Sequence, residues 1–127
     1  MACVSGERRT RRQVLDFALR LPGAFEDHPW GETVAKVHGK VFVFLGVDDD
    51  PSNLSMSVKL DESLEQALVV PGGEPTGYGL GHAGWVTVPF RDTSPPLAVL
   101  KDWVEESYRR VAPRRSVAEL DDRPRRR

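Results

Sequence analysis

The chain has 127 residues, 39% of them hydrophobic and 29% charged, which is one domain's length and enough to bury a core without disulfides or a structural metal. Its single cysteine, Cys3, excludes an internal disulfide, and no apolar run approaches the roughly 18 residues a membrane span needs, so the expectation is a cytoplasmic protein with no membrane partner. The net charge of −1 hides an asymmetry: residues 21–108 carry five basic and fourteen acidic residues, a balance of −9, while the two ends carry +8.

In chain order, residues 1–8 read as a flexible N-terminus. Over residues 9–21, Val14, Leu15, Ala18, Leu19 and Leu21 recur at helical spacing, with Thr10 as the candidate N-cap. Pro22-Gly23 ends that helix, and AFEDHPWGE over 24–32 reads as a loop. TVAKVH over 33–38 alternates and is β-rich. Gly39-Lys40 connects it to VFVFLGV over 41–47, an apolar run suited to a central strand. Asp48-Asp49-Asp50-Pro51-Ser52-Asn53 is dense turn chemistry. LSMSVKL over 54–60 then alternates strictly, with Leu54, Met56, Val58 and Leu60 on one face.

Asp61-Glu62 opens a short helix with Leu64, Ala67 and Leu68 inward, and Pro71-Gly72-Gly73-Glu74-Pro75 breaks it. A glycine-rich stretch leads into WVTVPF over 85–90, another alternating strand. The last helix, Leu97–Val111, follows Pro95-Pro96 and carries the stripe Leu97, Leu100, Val104, Tyr108 and Val111, with Trp103 one position off it, partly exposed or packed beside the sheet edge. Pro113 stops it, and residues 114–127 read as a mobile basic tail. The order α-β-β-β-α-β-α predicts an α+β domain over 9–113, an antiparallel sheet packed on one face by helices.

The stretch GLGHAGWV over 79–86 fits the G-x-G-x-x-G pattern of nucleotide-binding turns. Its flanks do not: PGGEPTGY before it is loop and WVTVPF after it is strand, so no helix N-terminus meets a phosphate there. The glycines read instead as backbone devices that permit positive φ and close approach. His28, His38 and His82 show no paired metal-ligand spacing, and no serine lies in a G-x-S-x-G elbow. The expectation is no catalytic constellation, no metal and no cofactor.

Several short motifs together resemble the MmcQ/YjbR family. They are Leu21-Pro22-Gly23-Ala24 followed by Trp30-Gly31, the strand Val34-Ala35-Lys36-Val37 with Gly39-Lys40-Val41-Phe42, and Leu54-Ser55-Met56-Ser57-Val58-Lys59. Tyr78 with Leu80-Gly81-His82-Ala83-Gly84-Trp85 and Glu106-Ser107-Tyr108 complete the set. The resemblance implies a CyaY-like α+β fold and the family's usual DNA-binding label, with no catalytic residues or cofactor.

The sequence departs from that label where a basic wing is expected, because Asp48-Asp49-Asp50 stands there and G-H-A-G-W lacks the family's lysines. Two readings follow. In the first, Arg8, Arg9, Arg11, Arg12, Arg109, Arg110, Arg114 and Arg115 give weak, sequence-independent DNA binding, since only the chain ends can attract phosphate. In the second, His28, Trp30, Lys59, Tyr78, His82 and Trp85 line a pocket for a small molecule such as a natural product, or the tryptophans act as lids on a core. Either way the expected state is a monomer or weak dimer.

Overall fold

A computed structural model of the protein describes residues 6–46, 54–77, 80–91 and 93–123, the side chains of Trp30, Leu80 and His82 excepted. It contains helices α1 (Gly6–Leu19), α2 (Leu64–Leu68), α3 (Leu97–Val111) and α4 (Arg114–Asp121). Its strands are β1 (Ala24–Asp27), β2 (Val34–Val37), β3 (Lys40–Phe44), β4 (Ser55–Lys59), β5 (Glu74–Pro75) and β6 (Trp85–Pro89). They form one antiparallel sheet in the order β1-β2-β3-β4-β6-β5. The expected α+β class with helices on one sheet face holds.

Four local expectations differ from the structure. The N-terminal helix begins at Gly6, inside the stretch expected to be flexible, so Thr10 is no N-cap. Its hydroxyl donates to the Gly6 carbonyl one turn back, 2.9 Å away. AFED is an edge strand rather than loop, paired with β2 from Ala24↔Val37 to Asp27↔Val34. Its two acids disguise it in the sequence, and charge is what an edge strand tolerates. Glu74–Pro75 makes a two-residue strand at the other edge, one of the few sheet positions open to proline. Arg114–Asp121 is helical where a mobile tail is expected. Pro113 does follow the end of α3, as expected, and it also stands at the N-cap position of α4, in which Ser116 is buried while Leu120 packs on the core.

The core is built by alternation. Val43, Val58 and Val86 stand opposite one another across β3, β4 and β6, as do Met56 and Val88, and all are fully buried beneath the helices. Val14 and Ala18 of α1, Ala67 of α2, and Leu100, Trp103, Val104 and Tyr108 of α3 close over them. Trp103 is thus a core residue, only 4% exposed. Each of the buried valines, leucines and methionines among them contributes about 1.5–3 kcal/mol on burial.

The β2–β3 hairpin turns on His38 (φ 53°) and Gly39 (φ 76°), the paired positive φ angles of a type I′ turn. Past that turn, Val41 pairs with Lys36 but Val43 with Ala35, which leaves Phe42 as the extra residue of a β-bulge. The bulge puts Phe42 and Val43 both into the core. It also interrupts the β3–β4 ladder, and α3 repairs the gap. The buried Ser107 hydroxyl donates to the Phe42 carbonyl (2.5 Å) and accepts the Lys59 amide (2.8 Å).

The neighbours of Ser107 fasten two further elements. The Tyr108 hydroxyl donates to the Pro22 carbonyl (2.5 Å) while its ring meets Phe42 edge-on at 5.2 Å, and burial pushes that hydroxyl's pKa up. Glu106 accepts the Asp61 amide (2.7 Å), the Ser63 amide (3.2 Å) and the Ser63 hydroxyl (2.7 Å) at the turn before α2. The motif Glu106-Ser107-Tyr108 is therefore a three-way fastening of α3 to the rest of the domain.

The glycine-rich stretch makes a single 3₁₀ turn, Leu80–Ala83, that delivers the chain into β6. Gly84 has φ +95°, its carbonyl accepts the Leu60 amide at 2.9 Å, and a Cβ there would lie 2.6 Å from the Leu60 carbonyl oxygen. Gly81 is similarly crowded by Pro75. Both glycines are explained by close approach, of the Leu60 backbone to Gly84 and of the Pro75 ring to Gly81.

Candidate functional site

The eight arginines of the first reading have different fates. Arg11 is only 7% exposed, and its guanidinium donates to the carbonyls of Leu45 (3.1 Å) and Gly46 (3.2 Å), tying α1 to the end of β3. Arg8 is half-buried and engaged within the protein. Arg109 bridges Glu105 (3.1 Å) and Asp121 (2.8 Å), joining α3 to α4, and Asp121 holds its pKa up. Arg110 lies 3.3 Å from Asp61, and Arg115 donates to His38 Nε2 at 2.8 Å. Arg9, Arg12 and Arg114 are exposed.

The sheet register shows where these groups lie. Arg11 touches the Leu45 end of β3, whereas Arg115 touches the hairpin turn at its other end. The two basic sets therefore stand at opposite ends of the sheet and do not form one cluster.

A different grouping emerges on α1. Its exposed residues from Arg9 onward are Arg9, Arg12, Gln13, Asp16 and, in the closing turn, Arg20. Their spacing of i, i+3, i+4, i+7 and i+11 is one helical stripe, opposite the buried Val14 and Ala18. At about 1.5 Å per residue, Arg9 and Arg12 stand about 4.5 Å apart along the axis, and Arg12 and Arg20 about 12 Å. Arg123 of the segment after α4 donates to the Arg20 carbonyl at 2.5 Å and adds a fourth guanidinium at that end. Sequence reasoning overlooked Arg20. The signal for Arg20 was present, as the complement of the Val14–Ala18 apolar spacing.

The described residues of the small-molecule reading are divided between the β1 edge and the β4–β6 part of the sheet. His28 follows β1, its Nε2 2.8 Å from the Glu26 carboxylate and its Nδ1 3.4 Å from the Thr33 hydroxyl. Nearby, Lys36 bonds Asp27 (2.7 Å) and holds that carboxyl below its ordinary pKa. Trp85 starts β6, directly opposite Lys59 on β4, with its ring 5.2 Å from Phe44 in an edge-on contact and only 8% exposed. Four inter-strand steps of about 4.8 Å put β1 and β6 about 19 Å apart, so His28 and Trp85 do not meet. Trp30 has its backbone in the 3₁₀ turn Pro29–Gly31 after β1, and His82 in the turn before β6. Their side chains, and Tyr78 as a whole, lie outside the described residues. No group of three or more His, Cys, Asp or Glu suited to a metal occurs among the described residues.

These features define a one-sided α+β sheet domain with a stripe of arginines on the exposed face of its first helix. The model of the family described as YjbR matches residues 19–110, and the chain belongs to the YjbR family. A Deinococcus radiodurans protein, solved by crystallography and described as a DUF419 domain, is similar to it. The two share 26% identity and a TM-score of 0.68, over 87% of this chain and 86% of that one. A search of curated proteins finds no match. No helix among the described residues is long and apolar enough to cross a membrane. Most of α1, with Arg9 and Arg12, precedes the matched stretch, so most of the arginine stripe lies outside what the family match covers.

Proposed function

We propose that the protein is a non-enzymatic nucleic-acid-binding protein that engages phosphates through the solvent face of α1. The observation that carries this reading is the exposed stripe Arg9–Arg12–Arg20 on a helix whose other face is anchored in the core. Among the described residues, no ion pair engages these three guanidinium groups. By contrast, Arg11, Arg109, Arg110 and Arg115 each serve an internal contact. Residues 21–108, at a balance of −9, repel phosphate and turn a bound nucleic acid toward the helix.

Fluorescence anisotropy with a labelled DNA of about 16 base pairs at about 50 mM salt tests this. The full chain binds weakly, and replacing Arg9, Arg12 and Arg20 together by alanine weakens binding at least ten-fold without lowering thermal stability. Replacing Arg109 and Arg110 lowers stability and leaves most of the affinity. Undiminished binding by the triple variant contradicts the reading. Among the described residues of the small-molecule alternative, Lys59 and Trp85 are adjacent. That alternative is the reading to take up if DNA binding is absent while tryptophan fluorescence responds to a metabolite.

A further inference from the structure

We infer that the ligand of the α1 stripe is double-stranded, with α1 lying across a groove, Arg9 and Arg12 on one phosphate rail and Arg20 on the other. This rests on the reading that the stripe binds phosphate, and adds which form of nucleic acid fits it.

Three observations support it. First, the backbone positions that carry the three arginines are fixed relative to one another. Val14 and Ala18 are fully buried and Arg11 is bonded to the Leu45 and Gly46 carbonyls, so α1 cannot pivot to follow a flexible strand. Second, the interval of about 12 Å between Arg12 and Arg20 matches the roughly 12 Å width of the B-form major groove, the distance over which the two rails are held apart. Third, Asp16 stands in the same exposed stripe, four residues from Arg12 and four from Arg20. A single strand running along the stripe would press a phosphate onto that carboxylate. A helix crossing a groove instead places Asp16 over the open groove, about 6 Å along the axis from each arginine. The charge pattern of cation, anion, cation along α1 is thus complementary to rail, gap, rail.

The test compares a 16-base-pair duplex with its separate 16-nucleotide strands, using anisotropy on the full chain at about 50 mM salt. The duplex is expected to bind at least ten-fold more tightly. Asp16→Asn is expected to tighten single-strand binding at least three-fold and to change duplex binding less than two-fold. Equal affinity for duplex and single strands, or an Asp16→Asn gain as large on duplex as on single strands, overturns the groove-crossing inference and leaves the phosphate-binding stripe standing. Absence of binding to either form overturns both.

Discussion

Ser107 gives the sharpest test of how this fold is held. Its hydroxyl sits where the Phe42 bulge separates β3 from β4, donating to one strand's carbonyl and accepting the other's amide, with no solvent exposure. Ser107→Ala removes both partners and leaves a carbonyl and an N–H without a hydrogen bond. Each such orphan costs about 1–3 kcal/mol, so the variant loses about 3 kcal/mol. Against a total stability of about 5–15 kcal/mol that is a large fraction. For a chain of this size it lowers Tm by about 12 °C. Urea unfolding followed by circular dichroism measures the loss, and Ser55→Ala, at a half-buried serine on β4, is the control expected to stay within about 0.5 kcal/mol. A Ser107→Ala loss below about 1 kcal/mol refutes the bridging argument, because the two strands would then be closing the gap without α3.

Other expectations follow from the same geometry. Burial pushes the Glu106 carboxyl up, but the amides of Asp61 and Ser63 with the Ser63 hydroxyl outweigh it and hold its pKa below the ordinary 4.5. Its contribution is therefore present above that value and lost as pH falls through the lowered one. Urea midpoints of wild type and Glu106→Gln should differ most near neutral pH and converge as pH falls through the lowered value. Gly84→Ala combines a φ of +95° with a Cβ 2.6 Å from the Leu60 carbonyl oxygen, and should cost at least about 2 kcal/mol by thermal melts. Arg11→Met, which strips donors from the Leu45 and Gly46 carbonyls, should lower stability by about 2 kcal/mol in urea titrations. Its salt slope for DNA should be unchanged, since that guanidinium faces inward.

Much of this fold is legible in the sequence, for identifiable reasons. The strict alternation of Leu54-Ser55-Met56-Ser57-Val58-Lys59 and the helical spacing of Leu97, Leu100, Val104 and Tyr108 are one-sided burial written directly into residue order. The turn character of Leu80–Gly84 is legible too, because the elements flanking a phosphate-binding turn must be strand and helix, in that order. What stays hidden depends on partners distant in sequence. AFED has too little apolar content to mark a strand, and only pairing with β2 makes it one. Arg114–Asp121 looks like a tail until Arg109 meets Asp121 across the Pro113 break.

The candidate site was less legible. Arginines were visible as a composition of the chain ends, but only burial separates Arg11 from Arg9 and Arg12 on one helix. Only tertiary ion pairs remove Arg109 and Arg110. The distance between His28 and Trp85 was hidden for a related reason: sequence shows which side chains flank turns, not where in the sheet each turn lies.

The salt dependence of DNA binding tests the central claim most directly. If Arg9, Arg12 and Arg20 each neutralise a phosphate, a plot of log K against log salt for wild type should fall with a slope of about −2.7 or steeper, and the triple alanine variant should lose about 2.7 from it. A wild-type slope near zero, or a variant with the wild-type slope, would contradict the assignment of the site to α1.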